Sequence, residues 1–190
     1  LQLFGINHKT TKLSERELFI INDSNQEDFK NFFQSAFNDS VDSFFALSTC
    51  NRTEVYIFGS STSATQIAQK TLEFFGSSDS LNNDLYFFNG NEAIEHMCNV
   101  ASGLDSQVLG EQEILGQFKK SIQTYIELGS LRGEFQRLTD DIISIAKAAR
   151  TETQIGFNSL SVSGLSLKIV QEIFEDPTHQ KLTIVGAGQM

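Results

Sequence analysis

Phe44-Phe45-Ala46-Leu47-Ser48-Thr49-Cys50-Asn51-Arg52-Thr53-Glu54-Val55-Tyr56-Ile57-Phe58 reads as two apolar runs around a polar loop. Runs 44–48 and 54–58 have strand length and strand composition, and Thr49 to Thr53 connects them. Cys50 stands in that connection among hydroxyl, amide and guanidinium neighbours, which gives it two readings. Arg52, two residues away, favours a nucleophilic thiolate. The alternative is a small hydrophobe in a strand-end turn.

Working outward, Leu1 to Ile6 reads as a strand, and Ser14 to Ile21 opens a helical region with Ser14 as its N-cap. Phe29, Phe32, Phe33 and Phe37 recur at steps of three and four, which places them on one helix face. Thr65 to Phe75 repeats that period, and Asp84 to Phe88 is a further short strand. The resulting order, β-α-β-β-α-β, is that of a ferredoxin-like split βαβ sheet, here expected to carry its helices on one face and to occupy residues 1–90.

Residues 91–155 turn helical. A helix from Glu113 to Leu128 stops at Gly129, and a longer one from Leu131 to Thr151 carries Phe135, Leu138, Ile142, Ile145 and Ala149 as the seam of a spinal helix. From residue 156 the chain looks like the start of a truncated Rossmann domain. An amphipathic helix from Ser159 to Phe174 carries Val162, Leu165, Ile169, Val170 and Ile173, and a strand from Leu182 to Val185 runs into Gly186-Ala187-Gly188-Gln189-Met190. One strand cannot make a Rossmann domain, so the natural protein is expected to continue past Met190. The fold class is therefore α+β.

The chain has 190 residues, 39% hydrophobic and 20% charged, the profile of a globular protein. Its net charge of -10 argues against a general nucleic-acid-coating protein, because that affinity comes from cations neutralising phosphates. Two cysteines, Cys50 and Cys98, are too few for a disulfide framework, and no apolar run is long enough to cross a bilayer. A cytoplasmic protein is expected. No His/Cys pair has zinc-ligand spacing, so no metal site is expected. Cys98 reads as core, and His8 as a strand-end hydrogen-bonder or a functional group.

A thiol joined to a dinucleotide fold suggests acyl reduction through a thioester, since sulfur accepts the acyl group and hydride then attacks its carbonyl. Several segments carry a resemblance. They are Gly5-Ile6-Asn7-His8-Lys9-Thr10, Leu47 to Tyr56, Gly103 to Gln117, Arg150-Thr151-Glu152-Thr153, Ser161-Val162-Ser163 and Val185-Gly186-Ala187-Gly188. In content and order the chain resembles the N-terminal part of the glutamyl-tRNA reductases, the enzymes that open tetrapyrrole synthesis from glutamate.

The resemblance implies a catalytic domain, a spinal helix and an NADPH-binding domain, with glutamyl-tRNA as substrate and glutamate-1-semialdehyde as product. It further implies a homodimer formed through a C-terminal region and the downstream aminomutase as a partner. Cys50 matches the nucleophile and His96 a histidine important for activity, as general base or positioner. Thr49, Asn51 and Arg52 match the substrate-binding loop, where the Arg52 fork suits a carboxylate. Ser106, Glu111, Gln112, Glu113 and Gln117 match further substrate contacts, and Gly186, Ala187, Gly188, Gln189 and Met190 the start of the NADPH phosphate turn. Glu113 departs from the family, which carries an amide at that place.

Each of these residues also has a structural reading. His96 would be a packing histidine, Ser106 a helix cap and Gln117 an exposed helix residue. Two other functions compete with the reductase: a non-catalytic partner-binding scaffold and a cysteine hydrolase. Without a complete cofactor domain, this stretch by itself is expected to bind the substrate but not reduce it.

Overall fold

The computed structural model describes residues 1–76, 84–153, 155, 162–174, 181 and 183. Four strands, β1 (Gln2–Asn7), β2 (Val41–Ser48), β3 (Arg52–Ser60) and β4 (Tyr86–Asn89), form one antiparallel sheet in the order β2-β3-β1-β4. The quoted stretch is its β2–β3 hairpin, with Leu47 opposite Glu54 and Phe45 opposite Tyr56. Residues 52–57 of β3 and 3–7 of β1 are buried on alternate and intervening positions alike, as befits central strands covered on both faces.

Helices lie on both faces, not on one. Successive side chains of a strand point to opposite faces, and Phe44 and Phe45 show it. Phe44 meets Phe33 of α2 (Gln26–Phe37), with ring centroids 4.2 Å apart. Phe45 meets Phe118 of α5 (Glu113–Glu127) and Phe135 of α6 (Gly133–Glu152), at 5.7 and 5.6 Å. On the first face α2 also packs on α3 (Ala64–Phe74) through Phe29 and Phe74. On the second, α4 (Gly90–Ser102) joins α5 and α6. Having apolar positions on both faces of its strands, the sheet requires two helical layers to leave water.

Before α2 the backbone departs from expectation. Helix α1 spans only Leu13–Arg16, followed by a 3₁₀ turn at Glu17–Phe19, and its N-cap is Lys12 rather than Ser14. The long helix is present as α6, 20 residues and so about 30 Å. Its buried seam is Phe135, Thr139, Ile142 and Ala146, while Ile145 is exposed. The small side chains at 139 and 146 let α6 lie close to its neighbours, so the seam runs through them and leaves the expected position 145 outside. Helix α7 spans Val162–Ile173, with Leu165, Ile169 and Ile173 exposed on it, and the expected start at residues 159–161 lies outside the described residues. The expected strand at 182–185 and the turn at 186–190 fall outside the described residues, apart from Thr183.

One glycine couples the sheet to what lies beneath it. Gly5 of β1 stands between Glu54 on β3 and Tyr86 on β4. A Cβ at that place would lie 2.7 Å from the Glu54 Cγ and 2.7 Å from the Thr53 carbonyl oxygen. The missing side chain leaves the space that the Glu54 side chain occupies. Gly5→Ala is therefore expected to lower the free energy of unfolding by about 1–3 kcal/mol, from overpacking against backbone, read as an earlier urea midpoint at unchanged slope.

Candidate functional site

Glu54 is the electrostatic centre of the hairpin's inner end. Its carboxylate is fully buried and accepts from Arg52 Nη1 at 2.7 Å, from His96 Nε2 at 2.8 Å, and from the hydroxyls of Tyr56 and Tyr86. Burial alone would raise its pKa, but the Arg52 guanidinium above all, with His96 and Tyr56, holds it far below the usual carboxylate range. An ionised Glu54 has no proton to give, so His96 must donate through Nε2–H, which leaves Nδ1 as the basic nitrogen of the neutral ring. The imidazole is fixed further by stacking on Phe88, 4.7 Å away. His96 is thus a packed residue and an oriented polar one at once.

Arg52 is 2% exposed. Besides Glu54, its guanidinium donates through Nη2 to the backbone carbonyl of Asp105 and, at 3.0 Å, to that residue's carboxylate. The fork expected to face a substrate carboxylate is therefore already shared between two protein carboxylates. Lys9 pairs with the other Asp105 oxygen. Burial would raise the Asp105 pKa, but Lys9 and Arg52 bring it below its ordinary value. In this way the Gly103 to Gly110 segment is tied to the hairpin.

The other side of that segment is held by the end of α6. Arg150 donates to the Glu111 carbonyl oxygen, and Gly110, at φ +75°, passes so close to Ile155 that a Cβ there would lie 1.8 Å from its carbonyl oxygen. Ser106 lies near the Glu111 carboxyl, which it favours in the ionised form, and does not cap α5, whose N-cap is Gln112. Glu111 has its pKa raised, first by burial. Gln112 and Glu113 are exposed beside it.

Cys50 is exposed at the tip of the hairpin. Thr49 Oγ1 accepts from the backbone N–H groups of Asn51 and Arg52, and the Asn51 carbonyl accepts from His8 N–H at 2.9 Å, so the loop is rigidly closed. Arg16 reaches the Cys50 carbonyl. The expectation of a pre-formed thiolate beside Arg52 is not met. Partial desolvation, with Glu111 and Glu113, pushes the thiol up, and the cation opposing them is Arg16. The Arg52 charge is turned inward to Glu54. His8 lies against this loop with its Nδ1 buried and unpartnered among the described residues, and its pKa is lowered, first by burial and then by Arg52. Cys98 is half-buried and packs against the core, as expected of it.

Thr49, Cys50 and Gln117 line one cleft of about 680 Å³, within the range of small-molecule sites. His96 and Arg52 belong to the buried Glu54 network and Ser106 lies by Glu111, and none of the three lines this cleft. Sequence reasoning missed Glu54, Tyr86, Asp105 and Arg16. Glu54 was visible as an acid in the middle of an apolar strand, a pattern that signals a buried partner, but its donors come from three separate elements, β3, β4 and α4.

Two measurements test these electrostatics. Glu54→Gln is expected to cost about 3–5 kcal/mol of stability at neutral pH, because it leaves the Arg52 charge buried and less compensated. The folded Glu54 pKa is depressed, so its contribution is complete above about pH 4.3, where the unfolded chain is also ionised, and declines as acid protonates the folded state. Denaturant unfolding should therefore fall less steeply below pH 4 in the variant than in the wild type. For Cys50, alkylation by iodoacetamide at pH 7 should be slower than for a model thiol. It should speed up in Glu111→Gln, which lowers the thiol pKa, and slow down in Arg16→Leu, which raises it.

Comparison with known proteins agrees on one assignment. The family model described as the N-terminal domain of glutamyl-tRNA(Glu) reductase matches residues 4–153. The glutamyl-tRNA reductase of Pseudoalteromonas atlantica is 35% identical over 188 residues, 98% of this chain and 44% of the relative. That of Ruthia magnifica is 38% identical over 154 residues, 80% of this chain and 37% of the relative. The solved structure of glutamyl-tRNA reductase from Methanopyrus kandleri superposes with a TM-score of 0.69 at 29% identity, covering 90% of this chain and 39% of that one. The chain spans less than half the length of each of these relatives. By the match of residues 4–153 to that N-terminal domain and by its identity to these relatives, the chain belongs to the glutamyl-tRNA reductase family.

Proposed function

We propose that the chain is the acyl-accepting part of an NADPH-dependent enzyme that converts glutamyl-tRNA to glutamate-1-semialdehyde and releases the tRNA. The observation carrying this reading is the exposed Cys50 at the rim of the cleft, on a loop held shut by its own backbone bonds. The Cys50 sulfur attacks the ester carbonyl, a C–S bond forms, and the C–O bond to the terminal ribose breaks. The thiol proton passes to the departing ribose oxygen. Because the resting thiol is not ionised at neutral pH, the step needs a base, and His96 Nδ1 is the candidate, its ring set by Glu54.

Thr49, Asn51 and Gln117 orient the glutamyl group from the loop and the cleft. Ser106 and Glu111 act from the segment that Asp105 anchors, with Gln112 and Glu113 exposed beside them, and Arg52 acts from beneath by holding that segment in place. NADPH, when bound, supplies the hydride that reduces the thioester to the aldehyde. The residues assigned to it, Gly186, Ala187, Gly188, Gln189 and Met190, lie outside the described residues. In the full-length protein a second copy and the downstream aminomutase are the partners this reading carries, and both rest on family membership alone.

The sheet order supports a ferredoxin-like split βαβ fold for residues 1–90, since β3 lies between β1 and β2, and β1 between β3 and β4. In the same reading residues 91–155 are the helical extension and spine, and 156–190 open a Rossmann domain. A second function, a partner-binding scaffold, draws its support from the raised thiol pKa. Incubation with glutamyl-tRNA labelled in the glutamate decides between them. The reductase reading expects a Cys50-linked glutamyl adduct, lost in Cys50→Ser and retained in Cys98→Ser. Absence of an adduct, or its location on Cys98, would overturn that reading.

A further inference from the structure

Attack of the Cys50 sulfur on an ester turns the carbonyl oxygen into an oxyanion, and a site that speeds this step holds hydrogen-bond donors ready for it. The backbone of the hairpin tip has none to spare. The N–H groups of Asn51 and Arg52 both go to Thr49 Oγ1, at 3.2 and 3.3 Å, and that of His8 goes to the Asn51 carbonyl. The N–H of Cys50 favours the thiolate of its own side chain. Three cations around the loop and its cleft are taken as well. Arg52 is divided between Glu54 and Asp105, Lys9 is paired with Asp105, and Lys120 with Asp23.

Arg16 differs from these. It is the last residue of α1, and no carboxylate pairs with it among the described residues. Its Nη1 donates to the Thr11 carbonyl at 2.7 Å, and the Thr11 N–H donates in turn to the Asn7 carbonyl at 3.0 Å, which ties the guanidinium to the end of β1. Nη2 reaches the Cys50 carbonyl at 3.5 Å, the outer limit of a hydrogen bond and a contact readily given up. Nε is buried without a partner among the described residues, so the hydrogen bonding of this side chain is incomplete in the resting chain. The guanidinium is thus anchored at one corner and loosely held at another, within a residue's width of the sulfur. Against a full negative charge its N–H outweighs the neutral amides of Asn51 and Gln117, since charge-assisted bonds are about twice as strong.

We propose that Arg16 is a catalytic residue whose Nη2 donates to the oxyanion formed when Cys50 is acylated. The sulfur bonds to the carbonyl carbon, the carbonyl electron pair moves onto its oxygen, and Arg16 holds the resulting charge. When that pair re-forms the double bond, the C–O bond to the ribose breaks and the ribose oxygen receives the thiol proton. Arg16 donates throughout and neither gains nor loses a proton. This assignment rests on the acyl-transfer reading, and the following experiment separates the two.

Two reactions of Cys50 are compared in the wild type, Arg16→Leu and Arg16→Lys. Single-turnover acylation by glutamyl-tRNA passes through an oxyanion, whereas alkylation by iodoacetamide does not. In Arg16→Leu, acylation at saturating donor is expected to fall by about a hundredfold or more, as on removal of an oxyanion donor, with the half-saturating concentration unchanged. Alkylation should slow only a few-fold, through the thiolate fraction. Arg16→Lys, which keeps the charge without the fork, should lie between. Guanidinium far below denaturing concentration should restore part of the acylation rate to Arg16→Ala, and urea should not, which separates a missing donor from a disturbed fold. Equal losses in the two reactions, a loss confined to the half-saturating concentration, or no rescue would overturn the role of Arg16 and leave acyl transfer to Cys50 standing. No adduct on the wild-type chain would overturn both.

Discussion

A single carboxylate, buried in the middle of a β-sheet, organises this domain. Glu54 is fully buried, so its charge is tolerable only because donors from Arg52, Tyr56, Tyr86 and His96 converge on it. Those donors sit on β3, β4 and α4. Closing the network therefore requires the edge strand to pair, the glycine at position 5 to leave a gap, and the helix after β4 to pack down on that face. Here fold and electrostatics form one constraint.

The same network defines what the site can do. Arg52 uses one end of its guanidinium on Glu54 and the other on Asp105, and thereby fastens the Gly103 to Gly110 segment to the hairpin. His96 is given one tautomer by the carboxylate it faces. Outside this rigid network stands Cys50, exposed, with a thiol whose pKa is raised and not lowered. A thiol that is protonated at rest and becomes nucleophilic only with a base and an oriented acyl donor is protected from adventitious alkylation and oxidation, which follow thiolate character.

The spine takes part in this arrangement. Near the end of α6, Arg150 holds the Glu111 carbonyl, and Ile155 sits against Gly110, so the segment beside the thiol is bounded by the hairpin on one side and by the helix terminus on the other. A displacement of the helix end would be felt at Glu111 through a hydrogen bond and a close backbone contact, with no flexible link between them.

By itself the sequence determined what depends on neighbours along the chain. The hairpin, the aromatic face of α2, the stop of α5 near Gly129 and the length of α6 follow from local period and turn chemistry, and the position of Cys50 in a polar loop follows from its neighbours. Tertiary structure alone decided which way the charges point. Arg52 lies two residues from Cys50 in the chain, but strand alternation turns it into the sheet toward Glu54, while Arg16, from a distant helical turn, reaches the thiol's loop. The second helical layer, the α6 seam through Thr139 and Ala146, and the cleft between α5 and residues 20–26 were likewise settled by long-range packing. Burial and electrostatic partnership are properties of space, which local patterning does not encode.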